Sequence, residues 1–150
     1  MNDDELPLQQ ALYAGDISRV RDLIAAGEDI HYKRDEGYDA IIDAVHGPDA
    51  PLLEILSLLI EHKVDLNGET SYGETGLRVL SRLGRFDGVR LLLNAGADKG
   101  HLEWTPLLEA VALGSLDDVR SILEQGADLE AKDYWSRTAW VVALLCGDRS

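Results

Sequence analysis

Apolar residues along this chain come in pairs of short helical runs, each pair followed by a polar stretch. Leu8, Ala11 and Leu12 fall on one face of a first helix, and Val20, Leu23 and Ile24 on one face of a second. Ile41, Ile42 and Val45 open the next pair and Leu77, Val79 and Leu80 the one after, which Val89, Leu91, Leu92 and Leu93 complete. A last apolar run, Ala139–Leu145, has no second run behind it. Helical spacing in every run predicts an all-α chain built of helix pairs.

The second run of each pair ends on one phrase. Asp22-Leu-Ile-Ala-Ala-Gly-Glu-Asp29, Leu58-Leu-Ile-Glu-His-Lys-Val-Asp65, Leu91-Leu-Leu-Asn-Ala-Gly-Ala-Asp98 and Ser121-Ile-Leu-Glu-Gln-Gly-Ala-Asp128 each carry a helix end into a tight turn and an aspartate. The four aspartates are 36, 33 and 30 residues apart, a mean step of 33. Such a step marks stacked supersecondary units rather than one closed core. Stacked units make a long grooved surface suited to binding other proteins. The units fall at about 4–33, 34–69, 70–99, 100–132 and a partial 133–150, and 1–150 reads as a single domain.

Punctuation residues set the boundaries. Asp16, Asp39, Thr75 and Thr105 are N-caps, and Pro106 fits the first helical position. Ser115 with Asp118 has the spacing of a capping box. Gly27 and Gly96 end second helices where the backbone turns left-handed, and Gly84 breaks the third unit at its middle. Lys63 stands where the other units have glycine, which predicts about 1–2 kcal/mol of strain if the backbone there is left-handed. The joint His46–Pro51 is longer than its counterparts and accounts for the 36-residue step, with Pro51 expected in the first turn of the next helix. Only six residues separate Asp98 from Thr105, against nine between Asp128 and Thr138, so a cramped hairpin is expected at Lys99–Glu103. Ala139–Leu145 is apolar nearly all round, whereas a stack needs a polar outer face at its end. A covering over 138–146 is therefore expected: a chain cut short, a partner or second copy, or an unusual cap.

Trp104-Thr-Pro-Leu-Leu-Glu-Ala110, Gly114-Ser-Leu-Asp-Asp-Val119 and Ile122-Leu-Glu-Gln-Gly-Ala-Asp128 resemble the ankyrin repeat. The similarity runs from about Leu6 onward. It implies an all-α ankyrin-repeat solenoid of four helix-turn-helix units plus the first helix of a fifth, joined by short β-hairpin-like fingers. It also implies that Gly76 replaces a proline at the first helical position, loosening that turn by about 0.5–1 kcal/mol. Partners of such stacks touch the finger tips and the inner face of the first helices. Turn spacing maps the tips onto Asp35, Glu36 and Tyr38; Tyr72 and Glu74; His101 and Trp104; and Tyr134, Trp135 and Arg137. The inner-helix positions are Tyr13, His46, Arg82, Leu83, Ala112, Leu113 and Leu145.

Six of the nine aromatics (Tyr13, Tyr38, Tyr72, Trp104, Tyr134 and Trp135) fall on these positions. Tyrosine and tryptophan are typical interface anchors; the alternative is that these rings brace neighbouring fingers. Acids stand beside them at Asp35, Glu36, Glu74, Glu103 and Asp133. The chain carries 28 acids against 14 bases, a net charge of −14, which repels nucleic acid and anionic membranes and favours a basic protein partner. Solubility alone is the simpler explanation of that charge. Resemblance and charge together suggest a bacterial immunity protein neutralising a cationic toxin, beside a scaffold or adaptor role.

Specific catalytic chemistry is missing from the sequence. His101-Leu-Glu103 matches half of a zinc-deaminase pattern, but no paired cysteines follow. Gly96-Ala-Asp-Lys-Gly100 lacks the spacing and ending of a phosphate loop. His31, His46, His62 and His101 have no ligand spacing. Asp3-Asp4-Glu5 and Asp117-Asp118 are paired acids at helix beginnings, where the macrodipole favours them. A single cysteine, Cys146, forms no internal disulfide and reads as a bystander thiol, with Arg149 the nearby cation. An acidic N-terminus without an apolar h-region points to a cytoplasmic protein. The expectation is a non-enzymatic binding module with no cofactor and no metal.

Overall fold

The computed structural model describes residues 6–147. Asp3-Asp4-Glu5 and Asp148-Arg149-Ser150 lie outside the described residues. Within them are nine α-helices: α1 Pro7–Ala14, α2 Ile17–Ala25, α3 Ala40–Val45, α4 Leu52–Glu61, α5 Gly76–Arg82, α6 Phe86–Asn94, α7 Pro106–Leu113, α8 Leu116–Glu124 and α9 Ala139–Gly147. They form four antiparallel pairs and a ninth single helix.

Side-chain caps start these helices where the sequence places them. Asp16 accepts the Arg19 N–H at 3.1 Å, Asp39 that of Ile42 at 3.0 Å, Thr75 that of Arg78 at 3.1 Å and Thr105 that of Leu108 at 3.3 Å. Each satisfies a donor the helix cannot, typically worth about 1 kcal/mol. Ser115 accepts from Asp118 N–H at 3.1 Å, and the Asp118 carboxylate accepts from Ser115 N–H at 3.0 Å, completing a capping box.

The recurring aspartate has a local explanation. Asp29, Asp65, Asp98 and Asp128 each accept the backbone N–H two residues on, from His31, Asn67, Gly100 and Glu130, at 2.8–2.9 Å. These Asx turns send the chain out of each second helix into its finger. Before three of them a glycine takes the left-handed backbone (Gly27, Gly96 and Gly126, φ 83–107°), and Lys63 takes it at φ 60° in unit two. The strain read from sequence at Lys63 is therefore present.

Several local expectations need correction. Pro51 sits at the N-cap of α4, one residue before the helix, so it closes the long joint instead of starting the turn. The fingers hold no β-strand among the described residues. Each closes on two turn bonds, Arg34 N–H to Tyr38 O with Gly37 N–H to Arg34 O, Thr70 N–H to Glu74 O with Gly73 N–H to Thr70 O, or Asp133 N–H to Arg137 O with Ser136 N–H to Asp133 O, which is too few for a ladder. Neighbouring fingers touch through one backbone bond, such as Ser71 N–H to Glu36 O at 2.8 Å. No hairpin forms at Lys99–Glu103. The short connection collapses into one 3-10 turn, Lys99–Leu102, and Glu103 absorbs the reversal at φ 52°. Gly76 marks a close approach: an added Cβ would meet Ile41 Cγ2 at 2.6 Å and Leu92 Cδ1 at 3.2 Å.

The first helices α1, α3 and α5 pack side by side in one layer, and α2, α4 and α6 do so in the other. Leu12, Ile41, Leu56, Leu59, Leu80 and Leu92 form the continuous buried ribbon between them. Unit four departs from this order. Its α7 packs on α8 and α9 but only grazes α6, and neither α5–α7 nor α6–α8 is a closely packed pair. The shortened finger gives the physical reason: without three residues of reach, α7 cannot lie beside α5 as α5 lies beside α3. At the far end α9 buries Val142 and exposes Trp140, Val141 and Leu144, in keeping with its uniformly apolar sequence.

Candidate functional site

Of the mapped contact residues, Tyr13, Tyr38, Tyr72, Tyr134 and Trp135 lie along the finger side of the inner helices. At the unit-one end Tyr13 closes α1, 38% exposed. Burial, and then the Asp43 carboxylate, push its hydroxyl up to about 12. Asp43 itself is fully buried on α3. It accepts the Tyr32 hydroxyl at 2.5 Å and the Arg34 guanidinium at 2.7 Å and 3.3 Å. Burial, and then Asp43, also raise the Tyr32 hydroxyl well above its ordinary range. Sequence reading missed this triad. The available signal was an acid at Asp43 inside Ala40–Val45, a helix otherwise apolar and buried at every position.

The middle of the row belongs to the second and third fingers. The Tyr38 ring carries Arg34 at 5.1 Å on one side and meets the Tyr72 and His46 rings, each at 6.2 Å. The Tyr38 and Tyr72 hydroxyls hydrogen-bond to each other. Glu74 lies beneath them, its side chain 13% exposed, pairing with His46 Nε2 at 2.9 Å and Arg82 Nη1 at 3.5 Å. Its charge is spent internally. Asp35 and Glu36 stand exposed at the second tip, where Glu36 accepts the Ser71 hydroxyl.

The fifth finger reaches back across unit four onto unit three. Tyr134 lies under the Arg78 guanidinium at 3.9 Å and meets Trp135 edge-on at 5.0 Å. Trp135 Nε1 donates to Arg78 O at 2.8 Å, with Arg82 over its ring at 5.2 Å. Arg137 is held by Asp133 at 2.8 Å and donates to Ser81 O at 2.9 Å and Ser81 Oγ at 2.7 Å. Their side chains are 13% and 1% exposed, so Arg137 is a brace and Asp133 adds no surface charge. Trp104 turns away from the row and packs on Phe86 at 6.1 Å, in the seam between units three and four. His101 sits in that seam as well, its carbonyl accepting from Arg78 Nε at 2.9 Å. Trp104 Nε1 and His101 Nδ1 are buried without a hydrogen-bond partner among the described residues.

The arrangement is a row of rings braced from behind by the chain's own arginines. Its exposed part is Tyr13, Tyr72 and Leu83, with the Arg82 side chain 41% exposed among them. Of the residues the sequence reading mapped as contacts, the structure sets Tyr38, Tyr72, Tyr134 and Trp135 in this row, while Glu74, Asp133 and Arg137, read from sequence as available charges, are paired within the chain. Among the described residues no group of three His, Cys, Asp or Glu side chains is arranged to hold a metal. Cys146 is half-buried, its thiol raised by burial, and it donates to Val111 O at 3.5 Å. No helix of the described residues is long and apolar enough to cross a membrane.

Comparison with known proteins agrees with this architecture. Residues 8–102 match the model for ankyrin repeats in three copies, and residues 102–134 match a further ankyrin repeat. The chain belongs to the ankyrin repeat family. As an ankyrin repeat protein it is 32% identical to YahD of Escherichia coli over 129 residues, covering 79% of this chain and 62% of that protein. It is 24% identical to an ankyrin repeat protein of Acanthamoeba polyphaga mimivirus over 137 residues, covering 89% of this chain and 18% of the viral one. The chain thus spans less than two thirds of either relative. Ankyrin repeats are generally protein–protein interaction modules.

Proposed function

We propose that this protein binds another protein, without catalysis, along the face made by its finger tips and inner helices. The observation that carries the reading is the braced aromatic row. Arg34, Arg78 and Arg82 hold Tyr38, Tyr134 and Trp135, while Tyr13, Tyr72 and Leu83 stay exposed. Rings already fixed by the chain lose little side-chain entropy on binding, so the surface is preorganised. Asp35 and Glu36 at the rim, with the net charge of −14, favour the approach of a basic partner. A cationic toxin neutralised by this acidic chain is the specific form of that reading which the charge supports. The exposed Trp140, Val141 and Leu144 of α9 offer a further contact.

The test is titration calorimetry with a copurifying partner, comparing wild type with Tyr72→Ala/Leu83→Ala and with Leu129→Ala. The contact pair should weaken binding by about 2 kcal/mol, roughly thirtyfold, as interface anchors do. The distant Leu129 change should leave affinity alone. Equal affinity in all three removes this face as the binding site. Affinity that stays flat from about 50 to 300 mM salt removes the basic partner.

A further inference from the structure

The seam that the short finger opens is itself a cleft. It runs between α6 and α8 over a floor of α7 and has a volume of about 510 Å³. Leu93, Ala110, Leu113 and Ile122 give it an apolar lining. In the first three units the second helices pack on one another, α2 on α4 and α4 on α6; a smaller cleft of about 340 Å³, lined by Arg21, Glu54 and Glu61 among others, lies between α2 and α4. Between units three and four the larger cleft is open, on the side away from the aromatic row.

Charge decides what fits there. Three charged residues line the cleft: Glu109, Asp118 and Arg90. Glu109 is engaged by Lys99 at 3.0 Å through both oxygens. Asp118 is engaged in its capping box, whose hydrogen bonds from Ser115 hold the carboxyl below its usual range. Arg90 differs. Arg34, Arg78, Arg82, Arg85, Arg120 and Arg137 each have a carboxylate within 4.0 Å, whereas Arg90, like Arg19 and Arg21, has none among the described residues. Its guanidinium donates to the Leu113 carbonyl at the cleft wall and keeps further N–H groups to offer. A cation without a counter-ion at the edge of apolar surface is completed by a carboxylate attached to an apolar body.

We infer that the α6–α8 cleft is a second docking groove, and that it takes an acidic–apolar segment of a partner protein, with leucine-like side chains against Ala110, Leu113 and Ile122 and a carboxylate on Arg90. The cleft is open rather than enclosed, which suits a polypeptide better than a small molecule needing burial on most sides. The chain's many distant acids do not oppose this at physiological salt, where charges beyond about 8 Å are screened. The chemistry is opposite in sign to that of the basic partner expected on the aromatic row, so the two faces can hold two partners at once.

The experiment is a titration of isotope-labelled protein with the peptide acetyl-Glu-Leu-Leu-Glu-Leu-Leu-amide, followed by backbone amide shifts, beside the same peptide with lysine for glutamate. Saturable shifts at Leu93, Ala110, Leu113 and Ile122 with the acidic peptide, and at least tenfold weaker binding of the lysine peptide, support the groove. Arg90→Glu and Arg90→Gln should each weaken the acidic peptide at least tenfold, and a dispersed amide spectrum shows that either variant is folded. Equal binding of both peptides, shifts confined to other surfaces, or no saturation up to about 5 mM overturns it. None of these outcomes bears on Tyr72 and Leu83, so the groove can fail while the aromatic row stands.

Discussion

Replacing Arg137 by alanine tests whether the fifth finger fastens the far end of the stack to unit three. The change strips the Asp133 carboxylate, 1% exposed, of its counter-ion, and removes the donors to Ser81 O and Oγ. Breaking a buried ion pair by deleting one partner costs about 3–5 kcal/mol, because the remaining charge stays desolvated. Asp133 keeps the N–H groups of Trp135 and of residue 137, each at 2.9 Å, which moves the expectation to the lower end, about 3 kcal/mol. For a chain of this size that is a fall in melting temperature of roughly 6–12 °C. Urea unfolding followed by circular dichroism measures it, beside Asp133→Asn and the double variant. The two single losses should not add: a coupling of at least about 1 kcal/mol is expected between residues in one network. A loss under about 1 kcal/mol for Arg137→Ala, or strict additivity, would show that the brace does not hold the finger.

Lys63 and the tyrosines around Asp43 each give a stability test. Lys63→Gly relieves the left-handed backbone at φ 60° and should stabilise the chain by about 1 kcal/mol, seen as a higher urea midpoint with an unchanged slope; a lower midpoint would show that no strain is held there. The tyrosines around Asp43 make stability sensitive to alkali. With folded-state values raised, that of Tyr13 to about 12, their contribution is full below pH 10 and is lost as pH climbs from 10 towards 12, where unfolded tyrosines ionise and folded ones do not. The urea midpoint of wild type should therefore fall over that range, and Tyr32→Phe should fall less. Parallel curves would refute it.

What the sequence determined by itself is whatever depends on neighbours along the chain. The caps at Asp16, Asp39, Thr75, Thr105 and Ser115, and the strain at Lys63, act over four residues or fewer, so a single strand of text carries them. The period follows too, since each Asx turn at Asp29, Asp65, Asp98 and Asp128 repeats the same local bond. Only the tertiary structure decided which side chains stay available to a partner. Arg137 grips Ser81 across 56 residues, Glu74 meets His46 across 28, and Trp104 rotates into a seam because unit four has withdrawn from unit three. Three missing residues near Lys99 were legible as a deletion. Their consequence was not, because where a shortened link lets a helix come to rest depends on the packing of every unit around it.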